Sequence, residues 1–305
     1  YIVIFLMKLN KNFNVNEIVE SIKKDTFFSE KNVLSNQDVR NIHKELNLWD
    51  FNFNKNQINP TKTFNGWYHS MAMARSKKVY EIIESDLILN TCEEYFKKSF
   101  RLKAHRVYSV SSGSRMPWHS DDKSSFKKHD YEGLIFIFYL KDVYKGQFQI
   151  IKDSENFSKK FPEAKIDEKI IDRNYKDQII DFKMPEGSMV IYNDKAIHRA
   201  KPYFDPFWYR TSLFIQVDTN IDNGERTIIN PSFVKNIDQK KLDYFGFGKN
   251  SDLPHEPVIS GYHTLDYKDL FKIIFNSMLS VLILKPYYLV RRSFILKNIF
   301  KSLFR

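Results

Sequence analysis

Three short stretches of this 305-residue chain carry side chains that could hold one metal ion together: Trp118-His119-Ser120-Asp121, Ala196-Ile197-His198 and Tyr209-Arg210-Thr211-Ser212. The first supplies an imidazole and a carboxylate two residues apart. On a strand, that spacing points both side chains to one face. The second stretch adds another imidazole after a long intervening segment. Two imidazoles and one carboxylate cover one face of a ferrous ion and leave its other positions open. The third places a guanidinium 12 positions beyond His198, inside an alternating apolar run. Such a group can grip the far carboxylate of a 2-oxo acid through a two-pronged hydrogen bond.

The tripeptide His-x-Asp is weak by itself, since roughly 0.6 matches arise by chance in a chain of this composition. Its surroundings carry the signal. The alternating segment 105–110 and the turn-like 111–115 precede His119. The turn Pro185-Glu186-Gly187 and the β-prone run Ser188 to Tyr192 precede His198, and Arg210 opens a run of strand formers to Val217. All three pieces therefore sit at strand edges.

The elements that must position them follow. Residues 15–103 read mainly as helical, with a capping box at Ser35-Asn36-Gln37-Asp38 and a stretch free of Pro and Gly from 69 to 100. A short strand is expected within Thr61–Trp67. From 104 to 218 short apolar or alternating runs follow one another (105–110, 133–140, 147–151, 178–183, 188–192 and 210–217), which predicts a multi-strand sandwich or barrel. The charged segment 153–177 reads as a loop or short helix over the barrel mouth. Residues 219–269 read as an irregular wrapping segment. The fold class expected is α+β with a mainly β core: 1–103 a helical region packing on the core, 104–218 the core, 219–269 the wrap and 270–305 a tail.

A chain of this length can bury one substantial core, and 42% hydrophobic with 16% aromatic residues is a globular composition. The one cysteine, Cys92, excludes an internal disulfide and a thiolate metal cluster, and suits a reducing, cytoplasmic setting. Of the net charge of +11, +7 comes from Lys272, Lys285, Arg291, Arg292, Lys297, Lys301 and Arg305, with no acidic residue from 270 onward. The body is thus only mildly basic, which makes nucleic acid an unlikely partner. In the tail, Phe271–Leu284 is largely apolar and would span about 21 Å as a helix, short of a bilayer core. Beyond Pro286, Ile295, Leu296, Ile299, Phe300 and Leu303 recur at helical spacing with lysines on another face. A basic amphipathic tail predicts peripheral contact with an anionic membrane surface, with packing on the body as the alternative. The six residues before Met7 are too few for a signal-peptide core and read as upstream translated sequence, with Met7 the start.

These residues resemble the 2-oxoglutarate/Fe(II)-dependent oxygenases, and within them the phytanoyl-CoA dioxygenase-like group. The resemblance covers about 104–217. It rests on Pro117-Trp118-His119-Ser120-Asp121, on Leu134–Leu140 followed by Lys141-Asp142-Val143, on Gly146–Ser154, on Gly187–Tyr192, and on His198 and Arg210. Where that family has a Pro-Gly-Ser-His turn, this chain has Lys152-Asp153-Ser154. The resemblance implies a double-stranded β-helix, or jelly roll. It implies Fe(II) held by His119, Asp121 and His198, with O2 and 2-oxoglutarate as cosubstrates. Arg210 would pair with the distal carboxylate of 2-oxoglutarate, Ser212 would complete an Arg-x-Ser pair, and Trp118 would wall the cosubstrate pocket. A carboxylate at Asp121 implies hydroxylation, since related halogenases carry a small residue there. The other histidines (43, 69, 105, 129, 255 and 263) read as structural.

The activity expected is hydroxylation of a small or lipid-linked substrate, with 2-oxoglutarate decarboxylated to succinate. A peptide or protein hydroxylase, a desaturase or epimerase of the same superfamily, and an inactive jelly-roll binding or scaffold protein are the competing readings. A nucleic-acid demethylase is a weaker one.

Overall fold

The computed structural model describes residues 13–249 apart from 47, 49–59, 64–65, 70, 112–116, 122–130, 155–164, 204, 206–207, 223, 226 and 235–236, together with six tail residues (275, 278, 279, 282, 283 and 286). The Met7 expectation and the lysine-rich 123–128 lie outside the described residues. The chain divides into a unit over 1–257 and a second over 258–305.

In the first unit the chain opens with helix α1 (Val15–Asp25), started by Asn14, whose side chain accepts from the Asn16 N–H. Strand β1 (Phe27–Glu30) follows, then α2 (Asn36–Leu46). The expected capping box is present: the Ser35 hydroxyl accepts from the Asp38 N–H at 3.0 Å, and the Asp38 carboxylate accepts from the Ser35 N–H at 3.2 Å. Strands β2 (Pro60–Thr63) and β3 (Gly66–His69) form a hairpin. The stretch free of Pro and Gly then becomes α3 (Ala72–Arg75), α4 (Lys77–Ile83) and α5 (Asp86–Phe96). Ser76 breaks it by capping α4, accepting from the Val79 N–H.

The rest of the unit is mostly sheet: β4 (Arg101–Ser111), β5 (Trp118–His119), β6 (Gly133–Tyr139), β7 (Val143–Ile151), β8 (Lys165–Ile166), β9 (Ile179–Met184), β10 (Met189–Asn193), β11 (His198–Ala200) and β12 (Tyr209–Asp218). Helix α6 (Glu168–Asn174) lies between β8 and β9, and α7 (Gln239–Phe245) follows the last strand. The strands form two antiparallel sheets. The larger has the order β1-β10-β6-β12-β4-β3-β2 and the smaller β8-β5-β11-β7-β9. Among the described residues, six strands match the runs expected over 104–218, and the short strand expected within Thr61–Trp67 falls in the β2–β3 hairpin, whereas β1, β5, β8 and β11 were not expected. Strands β1, β2 and β3 add to the two edges of the larger sheet beside β10 and β4.

Alternation along β6 explains the layers. Leu134, Phe136 and Phe138 join Leu213, Ile215 and Val217 of β12 in one apolar cluster with Ile18 and Ile22 of α1, Ile42 of α2 and Ile82 of α4. Ile135, Ile137 and Tyr139 face the other way. They pack with Tyr192 of β10 and with Val143, Phe148, Ile150 and Phe182 of the smaller sheet. The strand is therefore apolar on both faces because helices cover one and a second sheet covers the other. At about 2 kcal/mol for each fully buried side chain, the shared cluster binds the helices to the sheet rather than leaving them a separate layer.

A third cluster corrects one expectation. Ile171 of α6 packs with Trp118, Ile151, Ile166 and Ile197. Ile151 and Ile150 are strand neighbours and face opposite sides. Helix α6 therefore lies on the outer face of the smaller sheet, not over its mouth. The wrapping segment is also more ordered than its composition suggests. Its α7 buries Tyr244 and Phe245 and ends at Gly246, which takes the left-handed backbone that favours glycine. Cys92 is buried in the helix-covered cluster, and burial pushes its thiol well above the usual range, which suits an inert core thiol. Among the described residues no helix is long and apolar enough to cross a membrane.

Candidate metal centre

His119 ends β5 and His198 opens β11, and the two residues lie directly opposite each other in the antiparallel pair. Directly opposed residues bring their side chains together on one face, and here the ring centroids are 4.3 Å apart. On its other edge β11 is tied to β7, with His198 opposite Ile150. The smaller sheet thus fixes both imidazoles through backbone pairing rather than through loops.

Asp121 comes just after β5, in a turn and not on the strand. Its N–H donates to the Asp194 carbonyl at 2.9 Å, which anchors the turn to the far end of β10. Its carboxylate then reaches both rings: Oδ1 is 3.6 Å from His119 Nε2 and Oδ2 is 3.5 Å from His198 Nε2. One ligand atom from each of the three residues lies within 4.8 Å of the others.

The tautomers fit a metal. His119 Nδ1 is 2.9 Å from the Pro117 carbonyl and His198 Nδ1 is 3.0 Å from the Ala196 carbonyl. A carbonyl only accepts, so Nδ1 carries the proton in each ring and Nε2 keeps its lone pair. Both lone pairs face Asp121. Burial pushes His198 down to about 4, with Asp121 pulling it up and His119 pulling it down, so its imidazole is neutral and able to ligate near pH 7. His198 is buried, whereas His119 and Asp121 are partly exposed. The centre is open on their side.

Ser154 is a supporting residue that the sequence disguised. It stands in the segment Lys152-Asp153-Ser154, with Asp153 in the left-handed region at φ 58°. The Ser154 hydroxyl is fully buried and accepts from the Ile197 N–H at 2.8 Å. The Ile197 carbonyl accepts from the Ile151 N–H at 2.9 Å. The residue preceding His198 is therefore held at both of its backbone polar groups.

Arg210 and Ser212 lie on β12, where Ser212 is opposite Tyr139 of β6 and Tyr108 of β4. Tyr139 belongs to the cluster between the sheets, so Ser212 and Arg210 share its face. Arg210 is buried and donates through Nη1 to the Gly146 carbonyl at 2.7 Å. Gly146 has φ +60°, and a Cβ there would run into the Tyr203 ring, so glycine is needed where this carbonyl turns toward Arg210. Among the described residues, Arg210 Nε and Ser212 Oγ are buried without a hydrogen-bond partner, and beside them the buried Tyr139 hydroxyl has only the Phe148 backbone near it. Three buried polar groups on adjacent positions of one face form a cradle that suits an oxygen-rich ligand, because an unpartnered one costs about 1–3 kcal/mol.

Two of the tyrosines were not singled out by sequence reasoning. The buried Tyr192 hydroxyl lies 3.3 Å from Asp121 Oδ2 and 3.4 Å from His198 Nε2. Tyr108 stands close enough to affect the protons of both Tyr192 and Tyr139, and Arg210 affects that of Tyr139. A row of phenols therefore runs between the triad and Arg210.

Trp118 does not join this face. It packs in the outer cluster under α6, with the Arg199 guanidinium 4.3 Å above its ring. Arg199 also bonds Gln149 and Glu168. The pocket-wall role read for Trp118 does not fit this position, since strand neighbours point to opposite faces. Of the remaining histidines, His43 contacts the Leu140 carbonyl and His69 the Ser109 hydroxyl, while His129, His255 and His263 lie outside the described residues.

No protein-family model and no curated protein matches the chain. Among solved structures it is similar to HygX from Streptomyces hygroscopicus, solved with nickel, 2-oxoglutarate and hygromycin B bound. The identity is 14% and the TM-score 0.52, over 70% of this chain and 90% of that one. It is also similar to SnoK, a non-heme alpha-ketoglutarate-dependent carbocyclase from nogalamycin biosynthesis, at 12% identity and a TM-score of 0.50, over 73% of this chain and 89% of that one. At such identities the likeness establishes a shared fold.

Proposed function

We propose that the chain is an Fe(II)- and 2-oxoglutarate-dependent dioxygenase with a jelly-roll core of the phytanoyl-CoA dioxygenase-like kind, and that it hydroxylates a small or lipid-linked organic substrate. The observation that carries this reading is the triad itself: His119, Asp121 and His198 converge within 4.8 Å with both Nε2 lone pairs turned inward. The fold shared with HygX and SnoK supports it, as do the orphaned donors around Arg210.

The division of labour follows from the chain's own groups. The two imidazoles and Asp121 hold the metal, and backbone pairing of β5 with β11 fixes their angle. Arg210, with Ser212 and Tyr139 beside it, would receive the far carboxylate of 2-oxoglutarate, and its Nε and the Ser212 hydroxyl have no other partner among the described residues. Phe148, Ile150 and Ile137 exclude water from the space between the sheets. When bound, iron and 2-oxoglutarate supply the oxidising chemistry, in which O2 converts the oxo acid to succinate and CO2 as a substrate C–H bond is hydroxylated. Hydroxylation is the outcome proposed here because Asp121 fills the position that a halide would need.

The test is succinate release. The purified full-length chain with Fe(II), ascorbate and 2-oxoglutarate should form succinate slowly without added substrate, and omission of iron should stop it. Failure to form succinate with either iron or a range of small-molecule substrates would favour a binding or scaffold role.

We further propose that the tail brings the enzyme to an anionic membrane surface. Phe275, Met278, Leu279, Leu282 and Ile283 are helical, recur at three and four residues and are all exposed. The surrounding 36 residues hold seven basic side chains and no acidic one. An apolar stripe with cationic flanks matches an anionic bilayer surface. The full chain should therefore co-sediment with vesicles containing phosphatidylserine and not with neutral ones. Changing Leu279 and Leu282 together to Glu should abolish that binding. Equal binding by the double variant would remove the membrane from the proposal, and self-association of the wild type without lipid would show that a second copy covers the stripe.

A further inference from the structure

Asp121 can meet a metal in two ways. Its Oδ1 faces His119 Nε2 and its Oδ2 faces His198 Nε2, at nearly equal distances of 3.6 and 3.5 Å. Such a carboxylate could ligate through one oxygen or through both. The choice matters chemically. Two imidazoles and one oxygen fill three of six positions around iron, leaving two for a chelating oxo acid and one for O2. A second carboxylate oxygen would take the position that O2 needs.

One side chain near the triad is placed to decide this. Tyr192 lies on β10, outside the three motifs, and its ring packs against Phe148 and His198 with centroids 4.8 Å from each. Its hydroxyl is 3.3 Å from Asp121 Oδ2. Its other near neighbour is His198 Nε2 at 3.4 Å. Once that lone pair is engaged by a metal, the carboxylate oxygen is the acceptor left of the two.

Resting on the iron reading above, we propose that Tyr192 is a positioning residue: its hydroxyl occupies Asp121 Oδ2 and confines the carboxylate to one-oxygen ligation through Oδ1. The role belongs to the hydroxyl alone, since a phenylalanine would fill the same space between Phe148 and His198.

The experiment compares full-length wild type with Tyr192→Phe, using Co(II) alone as the probe. Wild type should bind one equivalent. The variant should bind about tenfold more weakly, the cost typical of losing a group that orients a ligand. Its visible d–d bands should shift in position and intensity as the second oxygen joins, with a melting temperature close to wild type without metal. A variant whose bands superimpose on wild type overturns the proposal, whether or not its stability falls, because a merely structural tyrosine moves stability and not the ligand field. Wild type that binds no Co(II) overturns the metal reading itself, an outcome distinct from unchanged bands in the variant.

Discussion

Replacing His119 by alanine should abolish metal retention and, with it, succinate formation. Among the described residues no other imidazole joins His119 and His198 at Asp121. The His119 Nε2 is one of three ligand atoms that converge within 4.8 Å, and the opposed His198 cannot fill two positions. Losing a group that merely orients a ligand costs about 10–100-fold in metal affinity, so loss of the ligand itself should exceed a hundredfold, or about 3 kcal/mol. Titration of Ni(II) into wild type and His119→Ala by calorimetry reads this directly. The fold should survive. His119 sits at the open side of the centre and belongs to none of the three apolar clusters, so the melting temperature of the apo variant should lie within a few degrees of wild type. Retention of Ni(II) within threefold of wild type would mean that the triad is not the metal centre.

The triad was legible because its geometry is local. His119 and His198 each stand beside runs whose β character is plain, and Asp121 is only two residues from His119, although it meets the imidazoles from the turn after β5 and not from the strand that its spacing suggested. The placement of Arg210 and Ser212 on one face of β12 was legible for the same reason. What escaped was whatever depends on pairing between distant strands. Tyr139 ends a fully buried apolar strand and reads in sequence as one more core aromatic. Only its position opposite Ser212 places it beside Arg210. Tyr192 likewise ends an apolar run, and its value comes from β10 returning beside β6 while Asp121 is tied to the Asp194 carbonyl. Strands β5, β8 and β11 are two or three residues long, too short for an alternating pattern to show. The misplacement of Trp118 has a different origin. Trp118 and His119 are strand neighbours on β5, so the pairing that turns the imidazole inward sends the indole to the opposite face.

Arg210→Met should separate cosubstrate binding from metal binding. Arg210 is a buried cation whose Nη1 bonds the Gly146 carbonyl and whose Nε has no partner among the described residues. A buried guanidinium left with an unused N–H is costly unless a ligand supplies the missing acceptor. The neighbouring hydroxyls of Ser212 and Tyr139 point to a ligand with several oxygens rather than a single water. A carboxylate meets all three demands and neutralises the charge. Removing one partner of a buried, hydrogen-bonded charge pair costs about 2–5 kcal/mol, which converts to a KM for 2-oxoglutarate raised by roughly 30- to 4,000-fold. Methionine keeps much of the apolar bulk while deleting every donor. Lysine keeps the charge but loses the planar fork, so Arg210→Lys should fall between methionine and wild type. Ni(II) affinity in the absence of 2-oxoglutarate should stay within about twofold for both variants, because Arg210 is not one of the converging ligands. The pair of measurements is decisive in combination. A raised KM with intact metal binding assigns Arg210 to the cosubstrate. Weakened metal binding in Arg210→Met would instead make it part of the centre's scaffold, and an unchanged KM would place the 2-oxoglutarate carboxylate elsewhere in the space between the sheets.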